Sequence, residues 1–243
     1  LASARRRFIV ARKGGNAMGY LKGLRGRLAA AMLAGCLAGA PPALAGEAGD
    51  LIFADRGPWA LGQRTLTWAE TQEGPALPSF RQIRDGRVVL SEAADASDGK
   101  PVLQLEQTAG SHSRRIGPFP VSGGDPVVVF FLENTARDMA VLTGGSPYYI
   151  RNRIKDAVFR GGSVQQEGGI TTIVARPFEG DPNADRMGGF ASLELRFVMG
   201  KDARAPIREL VAETAQPVAV ATPREMAGQV IAPAPYRHAL VMQ

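Results

Sequence analysis

The sequence predicts an α+β fold: a curved antiparallel β-sheet with a two-helix hairpin inserted between two β-rich halves. Three observations carry that prediction. Short segments of alternating polarity, separated by turn residues, lie on both sides of the middle of the chain. Between them, residues 126–160 carry two apolar stripes at helical spacing. Each stripe opens on a capping residue followed by proline and closes on a glycine pair.

In the first helix, Asp125 is placed to cap and Pro126 to occupy the first turn, where no amide donor is needed. Val128, Phe131, Leu132, Thr135, Met139 and Leu142 then recur on one face, and Gly144-Gly145 ends the run. Residues 127–132 are β-branched and aromatic enough to suit a buried strand, but the paired start and stop signals favour helix. Ser146-Pro147 opens the second helix, with Ile150, Ile154, Ala157 and Val158 inward and Gly161-Gly162 at its end.

The pattern FFLENTARDM…LTGGSPYYIRNRIKDAV resembles a group of uncharacterised exported proteins from proteobacteria. The resemblance is strongest over the two helices and fades into the flanking β segments. It implies the architecture, and it brings no catalytic residue with it.

The β elements follow in order. Leu51-Ile52-Phe53 is expected to form a first short strand, and residues 64–70, with Leu66 and Trp68 on one side, a second. Residues 80–90 read as two strands across Asp85-Gly86, a dipeptide suited to tight hairpin turns. Ser97-Asp98-Gly99 is a turn before Val102, Leu103 and Leu105, and residues 114–119 make one more strand. After the helices come a strand at residues 170–175, the strongly alternating Leu193, Leu195, Phe197 and Met199, and a hairpin partner at residues 207–213. Residues 46–215 thus form one domain. Residues 216–243, rich in proline and alanine with little periodicity, read as a flexible tail, with residues 236–242 able to dock as a short segment.

The chain ahead of that domain reads as a leader. Met18 is the first methionine, and residues 1–17 look like an upstream extension. Residues 18–45 have the form of a signal peptide: Lys22, Arg25 and Arg27, an apolar run from Leu28 to Ala40, and Ala43-Leu44-Ala45 before Gly46. The run is short for a bilayer span. Periplasmic export is the expectation, with a membrane-tethered lipoprotein as the alternative, because Leu33-Ala34-Gly35-Cys36 has lipobox form and Cys36 is the chain's single cysteine.

Charge excludes one class of function. Residues 1–45 hold 8 of the 29 lysines and arginines and none of the 23 acids, so 21 basic residues face 23 acids from Gly46 onward, a net charge of −2. The overall +6 belongs to the leader, and the domain lacks the basic footprint of a nucleic-acid binder.

Catalytic signals are thin, and no residue is singled out as catalytic. Ser111-His112-Ser113 sets hydroxyls beside an imidazole without an orienting acid, and His238 lies in the expected tail. No metal or other cofactor is implied: Asp181, Asn183 and Asp185 have the opening spacing of a calcium loop, but its later glycine and glutamate are missing, so they read as a solvated turn. The candidate binding residues are Tyr148, Tyr149, Arg151, Arg153 and Lys155 on the second helix, set to meet an anionic headgroup at an interface. The competing reading has its arginines paired with acids on an ordinary solvated face.

These features lead to a first expectation of a non-catalytic envelope protein that binds a lipid or amphipathic ligand between sheet and helices. A structural or assembly factor, contacting another envelope protein through the helices, is the alternative, and a hydrolase the third.

Overall fold

The computed structural model describes residues 46–57, 59–202, 204–221 and 230–243. The leader, Cys36 and residues 222–229 of the expected tail lie outside the described residues.

One open antiparallel sheet of nine strands organises the chain, in the order β4-β3-β2-β1-β9-β8-β7-β6-β5. A first meander runs through β1 (Leu66–Glu73), β2 (Ile83–Ala94), β3 (Pro101–Ala109) and β4 (His112–Pro120). A second runs through β5 (Ser163–Glu167), β6 (Ile170–Ala175), β7 (Leu193–Gly200) and β8 (Glu209–Thr214). The last strand, β9 (Arg237–Met242), pairs with β1 on one side and β8 on the other.

Residues 237–242, the part of the expected tail that the sequence allowed to dock, therefore join the two meanders as a strand. Its residues are buried on both sides because both neighbours are present: His238, Ala239 and Leu240 are all nearly inaccessible. A strand in that position loses the polar/apolar alternation of a half-exposed one. Two prolines, Pro233 and Pro235, sit just ahead of it, outside the ladder, where a missing amide donor costs nothing.

Two further expectations change. Leu51-Ile52-Phe53 belongs to α1 (Glu47–Ile52) and its C-terminal end, not to a strand. Gly49 of α1 abuts the Phe159 backbone, where an added Cβ would lie 2.5 Å from the carbonyl oxygen, and the Phe53 and Phe159 rings stack at 4.3 Å. That close approach selects a helix with a glycine face. Asp85-Gly86 does not turn the chain either: β2 passes straight through it. The pairing shifts from Glu70↔Gly86 to Gln72↔Ile83, so the extra residue is absorbed as a bulge.

The connection from β4 to β5 joins the two edges of the sheet, so it has to cross it. It contains α2 (Pro126–Thr143) and α3 (Pro147–Arg160). Asp125 accepts a hydrogen bond from the Val127 amide at 2.9 Å, and Gly144 takes the left-handed conformation at the other end. Ser146 caps α3 through the Tyr149 amide. On α2, Phe131 reaches β7 and β9, meeting the Phe197 ring edge-on at 5.9 Å and the His238 ring stacked at 5.3 Å. Val127, Val128, Met139 and Leu142 bury the same face. Each such fully buried side chain contributes about 1.5–3 kcal/mol. Side chains thus occupy the space between α2 and the sheet.

The opposite face of the sheet is covered differently. Arg196 bonds Glu209 at 3.1 Å and approaches Glu213, which Arg237 also approaches, over the inaccessible Val211 and Ala239. The edges are poor templates for further pairing: β4 ends in Pro118 and Pro120, and β5 is short and polar.

Candidate functional site

The five residues of α3 singled out in the sequence do not form one surface. Tyr148 is 73 % exposed at the start of the helix. Arg151 makes a two-pronged pair with Glu133 of α2, Nε at 2.7 Å and Nη2 at 2.9 Å. Lys155 sits over the Phe159 ring at 5.7 Å. Tyr149 and Arg153 come together, and what joins them is Asp181.

Asp181 is the residue that sequence reasoning misjudged, since it is buried and not part of a solvated turn. The Tyr149 hydroxyl donates to its carboxylate at 2.8 Å, the Asn183 amide donates at 2.7 Å, and Arg153 Nε approaches at 2.6 Å. Burial works against its charge, but the Asn183 amide, Tyr149 and Arg153 together hold the carboxyl below its ordinary value. Asn183 in turn donates its side-chain amide to the Tyr149 oxygen at 2.9 Å. The spacing Asp181-x-Asn183 serves to bind its own backbone and the helix, in the manner of an Asx turn.

This network fixes one wall of a pocket of about 460 Å³ where α2 meets α3. Met139, Ile150 and Met187 supply apolar surface, and Thr143, Asn183 and Arg186 the polar groups. Met187 closes α4 (Ala184–Met187), which a short 3₁₀ turn, Gly188–Ser192, follows into β7. Arg186 is exposed and pairs with no acid among the described residues. An apolar lining with a few convergent polar groups, at this volume, is the usual form of a small-molecule site.

A larger cleft of about 660 Å³ lies along the end of α3, against Ser163, Val174 and Pro177. It is lined by Arg153, Arg160 and Arg176, and each already has an acid partner: Asp181, Asp156 and Glu194. Its three arginines are thus satisfied by acids of the protein itself, which leaves them little to offer an anionic ligand.

The most unusual chemistry is a polar seam inside the core under α2. Glu70 of β1 accepts from Gln107 of β3 at 2.7 Å on both oxygens and from His238 Nε2 at 3.2 Å. Gln107 reaches Glu70 across β2; Gly86, paired with Glu70, has no room for a Cβ, which would lie 3.0 Å from the Glu70 main-chain oxygen and 2.5 Å from Ile83. His238 Nδ1 has no partner among the described residues. Close by, the Tyr236 hydroxyl donates to Asp138 at 3.0 Å, and burial raises the Asp138 carboxyl to about 6, against the lowering effect of His238. An acid-oriented imidazole has the outline of half a hydrolytic triad. Here both groups are fully buried, and Phe131 covers the ring, so substrate has no access to it. His112, the other histidine, is exposed on β4.

No group of three or more metal-binding side chains gathers among the described residues, and no helix there is long and apolar enough to cross a membrane. The seam was hidden from sequence reading because its members are spread over 168 positions. Comparison of the chain with protein-family models, with curated proteins and with solved structures gave no match.

Proposed function

We propose that this is an exported, non-catalytic binding protein of the cell envelope, whose α2–α3 hairpin takes a small amphipathic ligand at its closed end. The observation that carries the reading is the junction pocket: Met139, Ile150 and Met187 offer an apolar bed, and Arg186 stands at the rim with no ion pair among the described residues. A ligand with an apolar tail and an anionic head matches both features. The ligand sits at the helix junction and not between helices and sheet, because Phe131, Phe197 and His238 fill that layer. Tyr149 contributes by holding the wall, through Asp181 and Asn183.

The test is titration of the purified protein with a fluorescent fatty-acid analogue, alongside native mass spectrometry of material expressed from Met18 in a Gram-negative host. Arg186→Glu should weaken binding about tenfold, and a bulky Thr143→Trp should abolish it. Wild-type affinity in both variants would overturn the reading.

A second reading rests on Tyr148. A tyrosine 73 % exposed at the start of α3 is the beginning of a contact surface for another envelope protein. Loss of a specific pull-down on Tyr148→Ser, with ligand binding intact, would favour it.

A further inference from the structure

Two arginines converge under the first half of the sheet on a single neutral oxygen. Arg114 of β4 donates from Nη2 to Asn134 Oδ1 at 3.1 Å, and Arg137 of α2 donates from Nη1 to the same atom at 2.9 Å. The two nitrogens are therefore no more than about 6 Å apart, the sum of those distances. The amide orientation is fixed, because guanidinium groups only donate. Neither arginine forms an ion pair with an acid among the described residues.

Arg114 is exposed on β4, but its guanidinium is held in place. Its Nε donates to Gln107 Oε1, and its guanidinium lies over the Phe130 ring at 5.7 Å. Gln107 is locked from behind by Glu70, which is itself occupied by His238. That carboxylate is thus already committed. Partial burial and then Arg137 push the Arg114 guanidinium below its ordinary value, with a smaller push from Arg81, and Glu70 and Asp138 offset only part of that. Arg114 Nη1 and Arg137 Nε and Nη2 make no hydrogen bond to any described residue. The Asn134 side-chain nitrogen, on a residue only 6 % exposed, is also without a partner.

We propose that Arg114 and Arg137, with Asn134 as the floor, bind a phosphate-like oxyanion, carried either by a soluble monoester or by a lipid headgroup. Fixed forked donors suit two or more oxygens of one anion, and fixing them in advance lowers the entropy cost of binding. An anion there relieves the repulsion between two like charges that a neutral amide only bridges. The site is separate from the junction pocket and stands whether or not that pocket binds a ligand.

The experiment is calorimetric titration of the full chain with inorganic phosphate, against chloride at matched ionic strength, with thermal denaturation of the same samples. Wild type should bind phosphate and gain stability that chloride does not supply. Arg137→Gln, at an exposed position, should keep its fold and weaken binding at least tenfold. Asn134→Asp supplies the missing charge from within, so it should lose phosphate binding while raising Tm in the absence of phosphate. Equal responses to phosphate and chloride in wild type, or unchanged affinity in Arg137→Gln, would overturn the site, as would a lowered Tm in Asn134→Asp. Glycerol 1-phosphate and phosphatidate vesicles then separate the two sources: a response to the first alone marks a soluble ligand, and vesicle binding lost in Arg137→Gln marks a headgroup.

Discussion

Arg56→Ala should be among the most damaging single changes in this chain, and Asp125→Asn among the mildest at a buried charge. The Arg56 side chain is fully inaccessible and donates to four main-chain carbonyls: Leu51 at 3.0 Å, Ile52 at 2.8 Å, Ala54 at 3.2 Å and Ala205 at 3.1 Å. It stands 3.8 Å from Asp125, whose Oδ2 has no hydrogen-bond partner among the described residues. Truncating Arg56 strands three carbonyls at the end of α1 and that of Ala205 between β7 and β8, and leaves Asp125 as a buried charge without a counterion. Breaking a buried pair in this way costs about 3–5 kcal/mol. In a domain of this size that is a Tm loss of roughly 6–20 °C, at about 2–4 °C per kcal/mol.

Asp125→Asn differs in kind. Burial already raises the Asp125 carboxyl above its ordinary value against the pull of Arg56, so the charged form is under strain. Asparagine removes that charge and still caps α2. Arg56 keeps its four carbonyl partners, so the expected cost is within about 1 kcal/mol. Urea denaturation followed by circular dichroism measures both variants, with an unchanged slope as the sign that the transition remains two-state. A cost below about 1 kcal/mol for Arg56→Ala, or equal costs for the two variants, would refute the reasoning.

Three more expectations can be tested with the same assay. Asp138 has a folded-state value of about 6, above its ordinary 3.8, so the native state binds more protons than the unfolded chain between those values. Stability from this group is therefore greatest below pH 4 and declines as pH rises to about 6, by up to about 3 kcal/mol before solvent screening. The groups facing Asp138 are Tyr236, His238, Arg137 and Glu70. The difference between wild type and Asp138→Asn, measured from pH 4 to 7, should isolate that slope, and a flat difference would remove the assignment. Gly86→Ala should cost about 1–3 kcal/mol, because its Cβ would press on Ile83 and on the Glu70 main chain; a neutral result would mean that β2 shifts freely. Tyr149→Phe should lose about 1–3 kcal/mol by leaving buried Asp181 and Asn183 short of a partner, and Asp181→Asn should recover part of it in the double variant.

The elements set by short-range signals were legible. Asp125-Pro126 and Ser146-Pro147 state where α2 and α3 begin, because capping chemistry lies within three residues of the cap. The alternation of Leu193, Leu195, Phe197 and Met199 states which side of β7 is buried. Asp85-Gly86 misled for a physical reason: the dipeptide permits a tight turn, but Gly86 sits in the strand at the bulge, where Ile83 and the Glu70 main chain leave no room for a Cβ. Asp181 misled in a similar way, since its polar neighbours suit a solvated loop and only the approach of Tyr149 and Arg153 buries it.

By itself the sequence determined the mixture of helix and sheet, the antiparallel character of the sheet and the starts of the central helices, all of which depend on neighbours a few residues apart. The tertiary structure decided the rest. The place of β9 between β1 and β8 depends on two edges that exist only once both meanders have formed. The Glu70–His238 pair and the shared oxygen of Asn134 are likewise contacts of the assembled sheet, made across strands that no local pattern relates.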